Sequence, residues 1–372
     1  MTEPGDSSLL LIDGAALAAN YRLLRERARP AECAASVKAD AYGLGIDYVL
    51  PPLTAAGCTT FFVATIGEAE AIRRLAPGAT LYALNGMAVG QRDRFRDAAI
   101  HPVLNSPQQF GRWWTAAENS ADFPAAAIHV DTGMNRLGFT VADFEALCAA
   151  LLPEQRSRIS LLISHLASAD RPESGQNAEQ KALFDNCRAL LPATPASLAA
   201  SAGLFLGAGY HYQMVRPGIA LYGPNPSPGA PNKMKQVVTL KGKILQVRTI
   251  DRAMSVGYGA THTATRRSRV ATVAAGYADG YLRSLGNRGQ GWIGGQLVPV
   301  IGQVSMDLLT FDVTGIDPRL AIAGESIELI GPHVTVDRVA TAAGTVPYEI
   351  LTGLGRRYAR HLMAPTAPGG SR

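Results

Sequence analysis

The sequence predicts an α/β protein in which an N-terminal (β/α)8 TIM-type barrel is followed by a smaller, mainly β C-terminal domain. Two observations favour the barrel. Eight short apolar runs alternate with helix-like segments up to Tyr222, and these runs are apolar throughout, as is typical of parallel strands buried on both faces. After Tyr222 the pattern changes, because Pro and Gly accumulate and strand-like runs separated by turn residues follow.

The barrel begins after a short apolar run at Leu9–Ile12 and an amphipathic helix at Ala15–Arg29. The eight predicted barrel strands are, in order, Ala34–Val37, Thr60–Thr65, Thr80–Leu84, His101–Leu104, Ala126–Val130, Ile159–Ser164, Ala196–Ser201 and Met214–Ala220. Helical periodicity predicts helices between them at Glu68–Leu75, Gln108–Glu118, Ala142–Leu152 and Ala178–Leu190.

The β domain is predicted from five strand-like runs: Gln236–Thr249, Arg269–Ala275, Gly291–Gly302, Leu308–Val313 and Ser326–Leu329. A helix at Val334–Ala343 and a last strand or loop segment at Ile350–Leu362 complete this domain. The predicted parts are an N-terminal strand in residues 1–12 that packs with the β domain, the barrel at 13–223, a linker at 224–234, the β domain at 235–363 and a flexible tail at 364–372.

Composition and charge exclude several classes of function. The chain has 47% hydrophobic and 17% charged residues, which is typical of a folded, soluble protein. A net charge of +5 is modest and spread along the chain, so we expect no nucleic-acid and no membrane partner and favour a small anionic ligand. The stretch Ala189–Val215 has no charged residue, but its prolines and glycines indicate buried core.

Cysteine usage and the N-terminus predict the compartment. The four cysteines form no Cys-x-x-Cys pair, so neither a disulfide framework nor a metal site is expected. The first residues lack the basic and apolar regions of a secretory signal. We therefore expect a cytoplasmic protein.

The residues that follow the predicted strands carry the candidate chemistry, because the working residues of such a barrel lie at the C-terminal ends of its strands. Lys38 follows the first strand, His165 the sixth and Ser201 ends the seventh, while Arg216 lies in the eighth. A lysine near Tyr42 and these groups suits a phosphate-bearing, carbonyl-reactive cofactor, since a neutral lysine in an apolar pocket can form a Schiff base.

Each of these residues also has an ordinary structural interpretation. Lys38 alone is more typical of a solvated surface, and His165 of a core or a loop. Arg216 fits an ion-pair partner, and Ser201 fits a helix N-cap. Their joint placement at strand ends favours function, since independent structural residues have no reason to converge on one face.

Seven motifs, in order from about Ile12 to Arg360, closely resemble those of bacterial alanine racemases. They are Lys38-Ala-Asp-Ala-Tyr42-Gly, Asp131-Thr-Gly-Met-Asn-Arg136-Leu-Gly-Phe, Ser164-His165-Leu-Ala, Arg216-Pro-Gly-Ile-Ala-Leu-Tyr-Gly, Val256-Gly-Tyr258-Gly, Gly276-Tyr277-Ala-Asp-Gly280 and Ser305-Met306-Asp307. The resemblance implies the same two-domain fold, a homodimer with active sites at the interface, pyridoxal 5′-phosphate (PLP) as cofactor and alanine as substrate.

The resemblance also implies the catalytic roles. Lys38 would hold PLP and act as the base on the D face of the substrate, and Tyr258 from the partner subunit would act on the L face, because racemisation needs one base on each side. By itself, Tyr258 would be interpreted as an aromatic residue in a glycine-flanked turn. His165 is implied to link Tyr258 to Arg216, and Arg216 to face the ring nitrogen. A guanidinium can only donate hydrogen bonds, and therefore the ring nitrogen of the cofactor must accept and stays unprotonated. An unprotonated ring nitrogen favours proton exchange over transamination.

Binding residues follow from the same motifs. The positions that match the phosphate-binding residues of the family are Tyr42, Ser201, Gly218 and Ile219. The positions that match its substrate-binding residues are Arg136, Met306 and Tyr277. Arg136 and the backbone N–H of Met306 from the other chain would bind the carboxylate, and Tyr277 would narrow the entrance to suit small side chains such as that of alanine.

Three positions depart from the family pattern. His129 stands where many relatives have a lysine, often carbamylated, so Arg136 must be positioned by something else, such as a bound anion or another carboxylate. Ala200 stands where an asparagine is frequent. Arg356 is the expected match to a tyrosine that touches phosphate in some members, and a guanidinium there would compensate by binding phosphate strongly.

Three alternative functions remain open at this point. A decarboxylase of the same architecture, acting on a basic amino acid, would carry a glycine-rich phosphate loop and a cysteine in its second domain, whereas no cysteine follows Cys187 and Ser305 precedes Met306. A non-catalytic PLP-binding barrel would lack the β domain. A racemase of broader substrate range is disfavoured only by the bulky entrance residues and the missing signal peptide.

Overall fold

The computed structural model describes residues 8–118 and 120–363, so residues 1–7 and the tail predicted at 364–372 lie outside the described residues. The helices are α1 (Gly14–Ala28), α2 (Lys38–Tyr42), α3 (Ile46–Ala55), α4 (Ile66–Leu75), α5 (Arg92–Asp97), α6 (Pro107–Ala117), α7 (Val141–Ala150), α8 (Pro153–Ser157), α9 (Gly175–Ala189), α10 (Val336–Ala343) and α11 (Pro347–Thr352). The strands are β1 (Leu9–Asp13), β2 (Glu32–Cys33), β3 (Ala35–Ser36), β4 (Thr60–Val63), β5 (Thr80–Ala83), β6 (His101–Leu104), β7 (Ala126–His129), β8 (Ile159–Ile163), β9 (Ala196–Ser197), β10 (Met214–Val215), β11 (Val238–Ile250), β12 (Ser255–Val256), β13 (His262–Thr263), β14 (Ser268–Val273), β15 (Gln290–Ile293), β16 (Gln296–Pro299), β17 (Leu309–Asp312), β18 (Ser326–Ile330) and β19 (Ala359–Met363).

The first half of the chain forms a closed parallel barrel. Strands β3 to β9 pair in chain order in one parallel sheet. Strand β10 pairs in parallel with β2, which directly precedes β3, and Arg216 bridges to Ala200 just beyond β9, so the sheet closes on itself. With β2 and β3 counted as one broken strand, this is the eight-stranded barrel predicted from the apolar runs, and the fold class is confirmed.

The barrel interior is filled by side chains from all around the ring. They are Ala34, Phe62, Tyr82, Val103, Ala127, Leu161, Ile163 and Met214. The rings of Phe62 and Tyr82 stack with their centroids 4.8 Å apart. Because the interior is packed, a ligand can be accommodated only at an open end of the barrel, where the loops supply polar groups.

The second half of the chain is built around an eight-stranded sheet with the order β16-β15-β18-β11-β1-β19, to which β14 and β17 are added through β11. The N-terminal strand β1 lies in this sheet, antiparallel to β11 and parallel to β19. Between Gly223 and Val237 the chain forms neither helix nor strand, as the proline content there predicts. None of the helices in the described ranges is long and apolar enough to cross a membrane.

Helix α11 differs from the sequence prediction, which placed a strand or loop at Ile350–Leu362. The structure has a helix at Pro347–Thr352 and then the strand β19. Pro347 occupies the start of the helix, where its fixed φ is favourable, and Glu349 lies in the first turn, where a carboxylate is stabilised by the helix dipole. The helix is too short for its periodicity to be recognised in the sequence.

The buried Asn20 joins α1 to the end of the barrel and to the start of the β domain. Its amide nitrogen donates to the carbonyls of Leu221 (3.0 Å) and Lys235 (2.9 Å), and its oxygen accepts from the Lys235 N–H (2.7 Å). Asn20→Ala is expected to lower the free energy of unfolding by about 2–3 kcal/mol, because buried backbone groups lose their partners. Urea unfolding measures this loss, and Arg22→Ala, on the exposed face of α1, is the control; an equal midpoint for both variants would contradict the assignment.

Candidate active site

A cavity of about 580 Å³ opens at the C-terminal ends of the barrel strands, a size typical of small-molecule sites. Eight of the residues predicted to form the site line it: Lys38, Tyr42, Arg136, His165, Ser201, Arg216, Gly218 and Ile219. Three cationic side chains and one carboxylate, Asp170, are among its lining residues, so the cavity favours anionic ligands.

Lys38 begins α2, which is a left-handed turn and not a regular right-handed helix. The four residues that follow it, Ala39–Tyr42, all have φ between 52° and 55°, which is the left-handed helical region. For residues other than glycine this conformation costs about 1 kcal/mol or more each. Such strain is concentrated at functional sites, and here it brings Lys38 and Tyr42 into the same cavity.

The Lys38 amine is chemically activated by its surroundings. Burial lowers its pKa, and the neighbouring charges of Arg136 and Arg216 lower it further, while Glu68 acts in the opposite direction. A lysine with a lowered pKa is neutral in a larger fraction of molecules near pH 7, and the neutral amine is the nucleophile and the base.

Tyr42, Ser201 and Gly218 form an open cradle beside Lys38. The Ser201 Oγ accepts from the N–H groups of Gly218 (2.8 Å) and Ala220 (3.2 Å), which leaves its O–H proton available to donate. A Cβ on Gly218 would lie 2.1 Å from the Tyr42 hydroxyl oxygen, so only glycine lets the backbone approach so closely. The Tyr42 ring is held against Tyr222, with centroids 4.7 Å apart, and cannot easily move aside.

Gly218→Ala is therefore expected to weaken binding of the PLP that the sequence resemblance implies by about tenfold or more, since overpacking of a close contact costs at least 1 kcal/mol. Cofactor retained after dialysis, measured by absorbance, checks this expectation. The control is Gly111→Ala, where an added Cβ meets no atom within 4 Å. If the Gly218 variant retained all of its cofactor, the cradle would have room for the added methyl group, and the expectation would be contradicted.

Arg216 is fully buried at the base of the cavity. Its guanidinium donates to the carbonyls of Ser197 (2.8 Å) and Ser164 (2.6 Å), and no carboxylate among the described residues forms an ion pair with it. Burial lowers its pKa to about 10, so it remains charged near neutrality. A buried cation without a carboxylate is stabilised by a ligand that offers an acceptor atom.

Two histidines of the cavity are neutral. Burial and the charge of Arg216 lower the pKa of His165 to about 3 and that of His129 to about 4. The His129 Nδ1 lies 2.9 Å from the Asn105 oxygen, and the Asn105 amide nitrogen donates to two backbone carbonyls, so His129 donates from Nδ1 and its Nε2 is an acceptor. His129 therefore provides a neutral hydrogen-bond acceptor at the position where many members of the resembled family have a lysine.

The loop that carries Arg136 is ordered by Asp131. One carboxylate oxygen of Asp131 accepts from the N–H groups of Gly133 and Met134, both at 2.8 Å, and the other accepts from the Arg136 N–H at 3.0 Å. These hydrogen bonds lower the pKa of Asp131, although its partial burial acts in the opposite direction. The Asp131 carboxylate thus holds the backbone of Arg136 in place. Positioning by another carboxylate was one of the two alternatives for Arg136, the other being a bound anion.

Arg356 does not reach the cavity. It is exposed after α11, and the aromatic residue that lines the cavity near the cradle is Tyr348, whose ring centroid is 6.1 Å from that of Tyr42. Arg356 is not among the residues that line this cavity, so its role as a phosphate ligand stays a prediction, and Tyr348 is a cavity residue that the sequence analysis did not identify. The helix-start pattern Val346-Pro-Tyr-Glu was the signal that would have located Tyr348.

Tyr258, Tyr277 and Met306 lie on the surface of the β domain and do not line the cavity of their own chain. Their exposed fractions are 73%, 41% and 54%. Two hydrogen bonds join the Tyr277 and Met306 loops, from the Tyr277 N–H to Ser305 and from the Ala278 N–H to Met306, both at 3.0 Å. These three residues therefore face outward, and the Tyr277 and Met306 loops are tied together.

Arg357 braces the same surface. Its guanidinium binds both carboxylate oxygens of Asp279, at 2.6 and 2.9 Å, and one oxygen of Asp307, at 2.7 Å. Asp279 follows Tyr277 and Asp307 follows Met306, so this ion pair holds the two motif loops in one arrangement.

Comparison with known proteins gives consistent matches along the whole chain. The alanine racemase N-terminal domain model matches residues 12–226, and the alanine racemase C-terminal domain model matches residues 237–362. The alanine racemase of Rhodospirillum rubrum is 52% identical over 356 residues, covering 95% of each chain. That of Methylobacterium sp. is 47% identical over 351 residues, covering 94% of this chain and 96% of its own. The crystal structure of the Bartonella henselae alanine racemase, with covalently bound pyridoxal phosphate, has a TM-score of 0.91 and 39% identity, covering 96% of this chain and 99% of that chain.

Proposed function

The chain belongs to the alanine racemase family and racemises alanine, and we propose that it does so with two bases, Lys38 on the D face and Tyr258 of the partner subunit on the L face. The observation that carries this proposal is the convergence of Lys38, Arg216 and the Tyr42–Ser201–Gly218 cradle in one cavity. Two bases are required because the α-proton leaves one face of the substrate and returns to the other.

The enzyme uses PLP, and the residues of the cavity fit it. The cradle offers the hydroxyls of Tyr42 and Ser201 and a backbone without a Cβ for the phosphate, Arg216 offers a donor to the ring nitrogen, and Lys38 offers the amine that holds the aldehyde carbon. When bound, PLP withdraws electrons from the substrate and makes the α-proton acidic. All other roles belong to the protein.

The protein supplies the binding and the proton transfers. Arg136 binds the substrate carboxylate, together with the backbone N–H of Met306 of the partner subunit. The Lys38 amine, with its lowered pKa, accepts the α-proton of D-alanine or returns it. His165 is neutral, so it can accept from Arg216 with one ring nitrogen and donate to the Tyr258 oxygen with the other.

A homodimer completes this site. Among the described residues, the other cavity groups that could take up a proton are the two neutral histidines, the Asp170 carboxylate and the Tyr42 and Tyr348 phenols. Tyr258 and Met306, by contrast, are exposed on the β domain of the same chain. An exposed aromatic and apolar surface of this kind is typical of a protein interface. We assign it to contact with the cavity of a second copy, so that each active site uses both chains.

Mixing two inactive variants tests the two-chain site. Lys38→Ala and Tyr258→Phe are each inactive as homodimers, but a mixed dimer contains one site with both native residues. Random mixing after mild dissociation is expected to restore about a quarter of wild-type activity, since half of the dimers are mixed and each has one working site. The unmixed variants are the controls, and no recovery on mixing would place Tyr258 in the site of its own chain.

We also assign the protein to the cytoplasm. All four cysteines, at positions 33, 58, 148 and 187, are buried free thiols. Free thiols are typical of a reducing compartment. Alanine racemase activity in the soluble fraction of lysed cells, and none in the medium or periplasmic extract, is the expected distribution.

A further inference from the structure

We propose that Glu68 is a positioning residue that holds the left-handed turn Ala39–Tyr42 and thereby presents Lys38 and Tyr42 to the cavity together. Glu68 lies in the first turn of α4, outside the motifs that identified the site. The inference rests on the proposed role of Lys38 as the residue that holds the cofactor.

The carboxylate of Glu68 ties the turn to a neighbouring barrel strand. Its Oε1 accepts from the Ala39 N–H at 2.8 Å. Its Oε2 accepts from the N–H groups of Ala64 (2.8 Å) and Thr65 (3.2 Å), which directly follow β4. One rigid group therefore connects the first residue of the turn to the end of the adjacent strand.

The turn needs this acceptor because its own hydrogen bonds leave the Ala39 N–H unused. Within the turn, Ala41 donates to the Val37 carbonyl at 2.9 Å and Gly43 donates to the Ala39 carbonyl at 2.8 Å. The Ala39 N–H donates to the Glu68 carboxylate instead. Without it, an unfavourable left-handed conformation would lose the contact that begins it.

The far end of the turn is held differently. Gly43, with φ of +83°, packs so closely on α11 that an added Cβ would lie 2.4 Å from the Leu351 carbonyl oxygen. The Arg360 side chain donates to the Gly43 carbonyl at 3.2 Å. The end after Tyr42 is thus fixed by backbone packing, and the end at Lys38 depends on the Glu68 side chain.

The charge of Glu68 adds a signature that a packing role would not produce. Four groups act on the Lys38 amine or lie beside it: Glu68 on α4, Arg136 after β7, His165 after β8 and Arg216 after β10. Glu68 is the only anion of these four groups, and it raises the pKa of the amine against the effect of burial. Its removal should therefore lower the Lys38 pKa further.

The test compares Glu68→Gln and Glu68→Ala with Glu70→Gln. Glu70 lies on the same helix but pairs with Arg94 at 2.7 Å on the surface, so it is a matched control. Hydrogen exchange of residues 37–45 is measured on the holoenzyme and on the full chain after cofactor removal. In the cofactor-free chain, the pH dependence of Lys38 labelling by an amine reagent is mapped by mass spectrometry.

We expect both Glu68 variants to exchange amides in residues 37–45 about tenfold faster, with Glu70→Gln unchanged, and Glu68→Gln to be labelled at Lys38 with a midpoint at lower pH than wild type. Wild-type protection of this segment in both Glu68 variants would overturn the proposal. The proposal would also be overturned if the pH midpoint of Lys38 labelling rose to that of a free lysine and amide hydrogen exchange became faster throughout the chain. That combination would report general unfolding. If borohydride reduction of the wild type attaches no cofactor to Lys38, the proposed function fails, while the exchange data still decide the role of Glu68.

Discussion

Lys38→Ala is expected to lower kcat for alanine racemisation by about 10³-fold or more in both directions. In the proposed mechanism the variant loses both the amine that holds the cofactor and the base on the D face, and a positioned acid–base group alone contributes roughly 10²–10⁴-fold. Lys38 is the cavity lysine, and its pKa is lowered by burial, so no other group at this position can replace it.

The measurement is a chiral assay of both enantiomers together with the absorbance spectrum of the purified protein. Borohydride reduction of the wild type followed by peptide mapping should place the cofactor on Lys38. Lys181→Ala, which removes a surface ion pair with Asp185 at 2.7 Å, is the control and should retain both spectrum and activity. Activity of Lys38→Ala within tenfold of wild type would refute the assignment.

Tyr258→Phe is expected to reduce kcat by about 10²–10⁴-fold while cofactor content and the unfolding midpoint stay unchanged. The substitution removes one hydroxyl from a side chain that is 73% exposed in its own chain, so it has little effect on the fold. Because Lys38 remains, the variant should still exchange the α-proton of D-alanine with deuterium from the solvent. Exchange without inversion is the specific sign of a missing second base.

Proton NMR in deuterated water follows the exchange, and chiral chromatography follows the inversion. Tyr210→Phe, a tyrosine that does not line the cavity, is the control for loss of a hydroxyl. A Tyr258→Phe variant that racemises at the wild-type rate would show that another group is the base on the L face. A variant that exchanges neither enantiomer would show that Tyr258 is needed before proton transfer.

Much of the barrel could be predicted from local patterns. Each predicted run overlaps a strand of the ring, because a strand buried on both faces must be apolar along its whole length, and that requirement is visible within four or five residues. The cavity residues Lys38, His165 and Arg216 were found for a related reason. The fold places strand ends at one rim, so residues far apart in the sequence meet there once the strands are known.

Other features could not be predicted because no local pattern specifies them. The turn at Ala39–Tyr42 contains no glycine, so propensity argues against its left-handed conformation. The place of Tyr348 in the cavity could not be predicted because α11 is too short to be recognised in the sequence.

The sequence by itself determined the barrel, the β domain, the family and the position of Lys38, since these depend on hydrophobic patterning and on motifs of adjacent residues. The tertiary structure alone decided which hydrogen bonds hold the site. Glu68 accepts from the Ala39 N–H, Asp131 accepts from the Arg136 N–H, and the Asn105 oxygen sets the tautomer of His129. Two of these three contacts join residues from different elements, and hydrogen bonds of this kind depend on distances of a few tenths of an ångström, which only the folded chain defines.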